Sequence, residues 1–410
     1  MKFLNVISAL TLSLLPVSHG NAQDKVIRIY QDADRSNHIE SAISIERGIL
    51  TALDEVNNRV AGYRVEYIPL DHRGNVLRSK QNYDKFIADD QAIAIFSGIH
   101  SPPLIKNREF INQNKALTIV PWAAGAPITR YPSTENWVFR VSLDDARAGG
   151  RLVDHALDIA QCAAPHLLLE STPWGDSNLV AMSDRLKGRD VRSYSVSRFG
   201  MNLKEGGANI LLQKIVQQGS DCIILVGNAI EGTSIAIAMA AASTENRMPI
   251  ISHWGITGGS LFSSMGYEAH KKIEMTFIQS CFSFNDTVLN DHAQAVLKRA
   301  IKLFTEVDTA SGIKSPVGFI HAYDATRLLL AAIKEAELTS DMYENRNAVR
   351  LMLENLQNPV QGLVKNYLKP FSMFDPTSNP NAHEALGPTD YCMGHYNSNG
   401  NIVLNIRKAQ

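Results

Sequence analysis

The sequence predicts an α/β protein built from two doubly wound, Rossmann-like halves. Three observations carry this: β-rich apolar runs alternate with amphipathic helical stretches, the alternation runs through two consecutive series, and 410 residues suffice for two cores.

The first series opens with a strand at 26–30 and a polar loop from Asp32 to Ser36. Ala42, Ile45, Ile49, Leu53 and Val56 then recur at spacings of three and four, one face of a helix. Strands follow at 63–70, 92–96 and 117–120, with helices between them carrying apolar faces such as Leu104, Ile105 and Ile111. The segment 137–141, after a turn-rich stretch at 131–136, is a candidate crossover. The second series has strands at 166–169, 191–198, 222–226, 249–252 and 273–278, and helices at 208–218 and 233–242. Two such series imply two doubly wound sheets. Beyond 283 the pattern predicts helices at 291–304, 317–336 and 346–356 without strands, a Pro/Asn-rich stretch at 375–381, and a terminal hairpin turning at Asn397-Ser398-Asn399-Gly400.

Lysine and arginine (40) balance aspartate and glutamate (41), which leaves no electrostatic footprint for nucleic acid or an anionic membrane. Lys2, the apolar run from Phe3 to Leu15 and the small-residue site Gly20-Asn21-Ala22 predict a cleaved signal peptide over 1–22, with mature protein from Gln23 in the periplasm. As a membrane anchor the run is too short to cross roughly 30 Å of hydrocarbon. No cysteine follows it, so a lipid-anchored form lacks support. Cys162 and Cys222 each lead into a predicted strand and would lie side by side if those strands are neighbours. Cys281 with Cys392 is the other possible bridge, and buried free thiols are the alternative to both.

Signatures of catalysis are missing. There is no G-x-S-x-G elbow, H-E-x-x-H pair, phosphate-binding G-x-x-x-x-G-K-[ST] loop or dinucleotide G-x-G-x-x-G, which sets aside an exported hydrolase. The twelve histidines are scattered rather than paired at helical spacing, so the reading assigns no metal site and no cofactor. What stands out lies after strands, where doubly wound sheets bind ligands. The distinctive loops are Gly98-Ile99-His100-Ser101-Pro102-Pro103, Pro121-Trp122-Ala123-Ala124-Gly125 and Ser252-His253-Trp254-Gly255. Ser101 is suited to a carboxylate, or alternatively to simple N-capping.

At these residues the chain resembles the type I periplasmic binding proteins, in the branch of the leucine/isoleucine/valine-binding receptors of ABC importers. The landmarks, in order, are the Gly98–Ser101 loop, the segment from Ile119 to Thr129, and Val138-Phe139-Arg140 with Asp145 and Gly149. Pro173-Trp174-Gly175, Gly227 and Ala322-Tyr323-Asp324-Ala325 complete them. The resemblance implies two lobes joined by a three-strand hinge, with lobe 1 over 23–140 and 283–360 and lobe 2 over 141–282 and 361–410. It implies a small amino-acid-like or amide ligand in the cleft, no catalysis, a monomer, and an ABC permease or a membrane sensor as partner. Carried over by position, Ser101 and the loop backbone at Trp122, Ala123 and Ala124 face the ligand's carboxylate. Asp145, with Asp144 as the register alternative, lies near its ammonium, and Trp174, Asn228 and Trp254 occupy pocket positions from lobe 2.

The chain departs from that pattern in two places. Ala124 stands where the family commonly has a hydroxyl, and Trp254, beside His253, replaces an acidic residue that often answers the ammonium. Tryptophans on these loops offer apolar walls or a cation–π surface. The candidate ligands therefore extend to aromatic amino acids, small carboxylates and quaternary amines.

Overall fold

The computed structural model describes residues 25–405, so the expected signal peptide lies outside the described residues. The first sheet contains β1 (Val26–Ala33), β2 (Arg59–Val60), β3 (Tyr63–Asp71), β4 (Ala92–Ser97), β5 (Thr118–Val120) and β6 (Val138–Arg140), in the order β2-β3-β1-β4-β5-β6. All neighbours are parallel except the β2–β3 pair. The second contains β7 (Pro165–Glu170), β8 (Ser195–Phe199), β9 (Cys222–Val226), β10 (Ile250–Ser252) and β11 (Met275–Ser280), all parallel. A short antiparallel pair, β12 (Val360–Gln361) with β13 (Asn366–Tyr367), stands apart. The terminal hairpin β14 (Tyr391–Tyr396) and β15 (Ile402–Leu404) adds to β11, giving the order β15-β14-β11-β10-β9-β7-β8.

Central strands such as β4 and β9 are buried along their whole length, because helices cover both faces of a parallel sheet. The helices are α1 (Ile39–Glu55), α2 (Val76–Ala88), α3 (Ser101–Gln113), α4 (Asp145–Asp158), α5 (Pro173–Gly188), α6 (Glu205–Gln217), α7 (Ala229–Ala241), two short helices α8 (Leu261–Met265) and α9 (Tyr267–His270), then α10 (Asp291–Leu303), α11 (Pro316–Glu335) and α12 (Met342–Glu354).

One expectation is refined and one needs correction. The candidate crossover 137–141 is extended and the chain leaves the first sheet directly after it, but its residues 138–140 also form β6, the edge strand paired with β5. The strand expected at 191–198 begins only at Ser195. Both cysteine pairs are bridged, Cys162–Cys222 and Cys281–Cys392. The first follows from register, since β7 and β9 are neighbours with Pro165 opposite Cys222.

The chain passes between the sheets three times: after β6, from β11 to α10, and from α12 to β14. Helices α10 and α11 return to pack on α1, and α12 packs on β4. The first and third passages are bonded together: the Arg140 N–H donates to the His383 carbonyl, and the Ala385 N–H donates to the Arg140 carbonyl.

The α1–α11 contact depends on Gly48. A Cβ there would stand 2.3 Å from the Phe319 carbonyl oxygen and 2.9 Å from the Tyr323 nitrogen, both rigid backbone. Gly48→Ala should therefore destabilise the protein by about 1–3 kcal/mol through overpacking. Gly150→Ala, where the new methyl meets nothing nearer than 3.9 Å, should be neutral or stabilising by up to about 1 kcal/mol. Urea unfolding of the two variants separates these outcomes, and equal effects would contradict the packing argument.

Candidate functional site

The carboxyl ends of both parallel sheets face one another, and the loops that leave them meet. From the first sheet come Asp34 and His38 after β1, His100 and Ser101 after β4, and Trp122 to Gly125 after β5. From the second come Thr172 to Trp174 after β7, Asn228 after β9, and His253 and Trp254 after β10.

Each residue singled out from the sequence is buried in or near this meeting. The Ser101 hydroxyl accepts from the Gly125 N–H at 3.1 Å. Glycine eases that approach, since a Cβ at 125 would lie 2.8 Å from Ile105 Cδ1 and 3.1 Å from Ser101 Cβ and would make both side chains shift. The Ala123 carbonyl accepts from Arg140 at 3.4 Å, and its side chain packs into the core of the first sheet, so Ala123 faces away from the partner loops. The Ala124 carbonyl accepts from the Asp145 N–H at 2.9 Å.

Trp122 and Trp254 meet edge to face across the two sheets, with ring centroids 6.2 Å apart. The aromatic chain continues from Trp254 to His253 at 6.4 Å and from His253 to Trp174 at 5.1 Å. Asp145 closes it: His253 Nε2 donates to Asp145 Oδ1 at 3.0 Å, and Trp174 Nε1 reaches the same oxygen at 3.4 Å. Asn228 donates to Glu170 Oε2 at 3.1 Å, and Thr172 donates to Oε1 at 3.0 Å. Burial first, and then the charge of Glu231, push the Glu170 carboxyl up to about 7. His321, behind Trp254 at 5.0 Å, donates through Nδ1 to the Val317 carbonyl, so its Nε2 accepts from Ser280; burial lowers its pKa to about 3.

The structure separates the two adjacent aspartates. Asp144 caps α4 and is held by Arg130 at 2.6 Å and Arg140 at 3.1 Å. Asp145 turns instead toward His253 and Trp174, and its Oδ2 is buried without a partner. Trp122 Nε1, His253 Nδ1 and Ser97 Oγ are likewise buried and unpaired. Groups of this kind cost about 1–3 kcal/mol each unless a partner answers them. While others lie elsewhere among the described residues, Trp137 Nε1 and Asn178 Oδ1 among them, these converge on one contact between the sheets.

The tryptophans pack in direct contact rather than lining open space: a Cβ on Gly258 would meet Ile99 Cδ1 at 2.4 Å and Trp122 Cζ2 at 3.4 Å. The open space lies to one side. A hollow of about 370 Å³ is bounded by Asn37, His38 and Glu40 on the first sheet's side and by Ala229, Thr233 and Gly259 on the second's, and none of the eight sequence-selected residues lines it. Larger hollows of about 620 and 640 Å³ sit beside the Cys281–Cys392 bridge and beside α1 and α11, and none of the eight sequence-selected residues lines either.

Sequence reading missed one cluster here. Asp34, His38 and His100, all buried, bring one oxygen and two nitrogens within 3.4 Å of one another. The Asp34 carboxyl sits well below the usual range: burial alone would raise it, but hydrogen bonds from His100 and His38 reverse the sign. Burial lowers the His100 pKa and, with the neighbouring His100 charge, takes His72 down to about 3. The only sequence signal was a polar loop after β1 and a histidine in a loop already noted for its serine.

Two parallel sheets joined by several chain passages, with their carboxyl-end loops in contact, define the class of two-lobed binding proteins. The chain belongs to the periplasmic binding protein family, whose model matches residues 37–383. No curated protein matches it by sequence. Among solved structures it is similar to the solute-binding protein of an R. palustris ABC transporter in complex with benzoate, at 15% identity and TM-score 0.74, covering 93% of this chain and 95% of that one. A type 1 periplasmic binding protein from Bordetella pertussis Tohama I gives 14% identity and TM-score 0.75, with 93% and 100% covered. A leucine-binding protein from Thermotoga maritima gives 16% and 0.70, with 93% and 98% covered. These identities speak for the fold. Among the described residues no helix is long and apolar enough to cross a membrane.

Proposed function

We propose that this chain is an exported, monomeric receptor that captures a small polar ligand between its lobes and hands it to an ABC importer without transforming it. In this reading one lobe takes the described part of 23–140 together with 283–360, the other takes 141–282 with the described part of 361–410, and 1–22 direct export to the periplasm. The observation that carries the reading is the set of unpaired buried polar atoms in the aromatic chain: Trp122 Nε1 on one side, Asp145 Oδ2 and His253 Nδ1 on the other. A ligand that supplies an acceptor to the first and a donor to the second is bonded to both lobes, so it stabilises the closed arrangement by its differential affinity for that state.

The ligand is an amino acid or a related small carboxylate. Because Trp122 and Trp254 touch in this closed arrangement, the ligand enters by parting them. The aromatic faces so exposed favour one with an aromatic or branched apolar part, in keeping with the benzoate-bound and leucine-binding proteins to which this chain is similar. A thermal-shift screen of amino acids, amides and aromatic carboxylates tests this, because a ligand that binds only the folded state raises apparent stability. No shift with any member, or turnover of one, would sink the reading. Asp145→Ala should weaken an ammonium-bearing ligand by roughly 10- to 100-fold and leave benzoate-like ligands unchanged. Calorimetry reads the difference, and equal affinities would remove Asp145 from the site.

A further inference from the structure

We propose that Asp34, His38 and His100 bind one divalent transition-metal ion at the carboxyl edge of the first sheet. His38 Nδ1 lies 3.3 Å from Asp34 Oδ2, His100 Nε2 lies 3.4 Å from the same oxygen, and the two nitrogens are 3.1 Å apart. The donors of a tetrahedral ion with bonds of about 2.0–2.1 Å stand roughly 3.3 Å from one another, so this triangle has the dimensions of one face of such a site.

Protons alone leave the triangle unsatisfied. The carboxylate oxygen only accepts, and each imidazole nitrogen is either a donor or a lone pair. If both nitrogens carry protons, two N–H groups meet at 3.1 Å. With a single proton, one nitrogen lone pair faces the carboxylate oxygen at 3.3–3.4 Å. A cation at the centre makes all three contacts favourable.

The fold presets the triangle. β1 and β4 are neighbours with Asp32 opposite Ser97, so the turns after them come together, and His38 leads directly into α1. Asp34 is fixed from behind: its Oδ1 accepts from the N–H groups of Ser36 and Asn37, and the Asn37 amide donates to its Oδ2 at 3.1 Å. His38 also borders the 370 Å³ hollow, from which water or a cargo oxygen can complete the coordination. Two imidazoles and one carboxylate suit zinc and its first-row neighbours, not calcium or magnesium, which take oxygen ligands. The other close grouping, Cys162, Asp221 and Cys222, has its sulfurs committed to a disulfide.

The inference goes beyond capture of an organic ligand and does not depend on it. The test uses tag-free, oxidised protein stripped with a chelator and titrated with Co²⁺, followed by its visible d–d absorption and by competition with Zn²⁺. One equivalent of Co²⁺ should bind and be displaced by Zn²⁺, and His100→Ala and Asp34→Asn should each weaken binding by at least about 100-fold. X-ray absorption at the zinc edge of the wild-type protein gives a reading independent of any variant, with two imidazoles expected in the shell. Absence of binding, stoichiometric binding retained by folded variants, or a shell without imidazole would each overturn the proposal. The thermal-shift screen with organic ligands stands or falls separately.

Discussion

Replacing Arg140 by alanine should lower the unfolding free energy by about 3–5 kcal/mol. Arg140 is fully buried. Its guanidinium donates to both oxygens of Glu384, at 2.7 and 2.5 Å, and to Asp144 at 3.1 Å, and it reaches the Gly125 carbonyl at 2.9 Å. Glu384 also accepts from the Thr129 hydroxyl. Removing the cation leaves a buried carboxylate at Glu384 whose remaining positive neighbour, Arg130, is 3.9 Å away. Asp144 fares better, because Arg130 still holds it at 2.6 Å. The double variant Arg140→Met with Glu384→Met should recover much of the loss, since a buried pair replaced by apolar groups of similar size is often near neutral. Urea unfolding measures both. A loss under about 1 kcal/mol in Arg140→Ala would contradict the idea that this network pins the first and third passages between the sheets.

Loss of the Cys281–Cys392 bridge should cost about 4–5 kcal/mol by loop-closure entropy, because its ends are 111 residues apart. It joins the end of β11 to β14, and thereby the third passage to the second sheet. The Cys162–Cys222 bridge spans 60 residues and should contribute slightly less. Access reverses the order in time: Cys162 and Cys222 are buried, while Cys281 and Cys392 are half-buried, so limited reductant should open the second pair first. Thiol labelling with mass spectrometry reads the order, and unfolding of Cys281→Ser, Cys392→Ser protein reads the energy. Simultaneous reduction, or an unchanged midpoint, would contradict the account.

Much of the fold was legible because it rests on local pattern. Strands such as β9, whose Cys-Ile-Ile-Leu-Val run is buried throughout, declare themselves by composition, and α1 by its three–four spacing. The loops at the carboxyl ends followed from that alternation. Legibility failed where the answer depends on one residue of register or on contacts distant in sequence. Asp144 and Asp145 were indistinguishable until the start of α4 showed that Asp144 takes the capping position beside Arg130 and Arg140. His38 and His100 are 62 residues apart and meet only because β1 and β4 pair. The edge strand β6 resembled a linker because only three residues of it enter the ladder. The tight packing of Trp122 against Trp254 has no sequence signature at all, which is why open space was expected where aromatic rings stand.

Hydrogen exchange with and without the compound that gives the largest thermal shift tests capture between the lobes most directly. If a guest bridges both sheets, amides of the Trp122–Gly125 loop and of the His253–Thr257 turn gain protection together and in proportion to occupancy. Protection confined to one of these segments, with the other exchanging as in the free protein, would mean that the ligand sits on a single lobe.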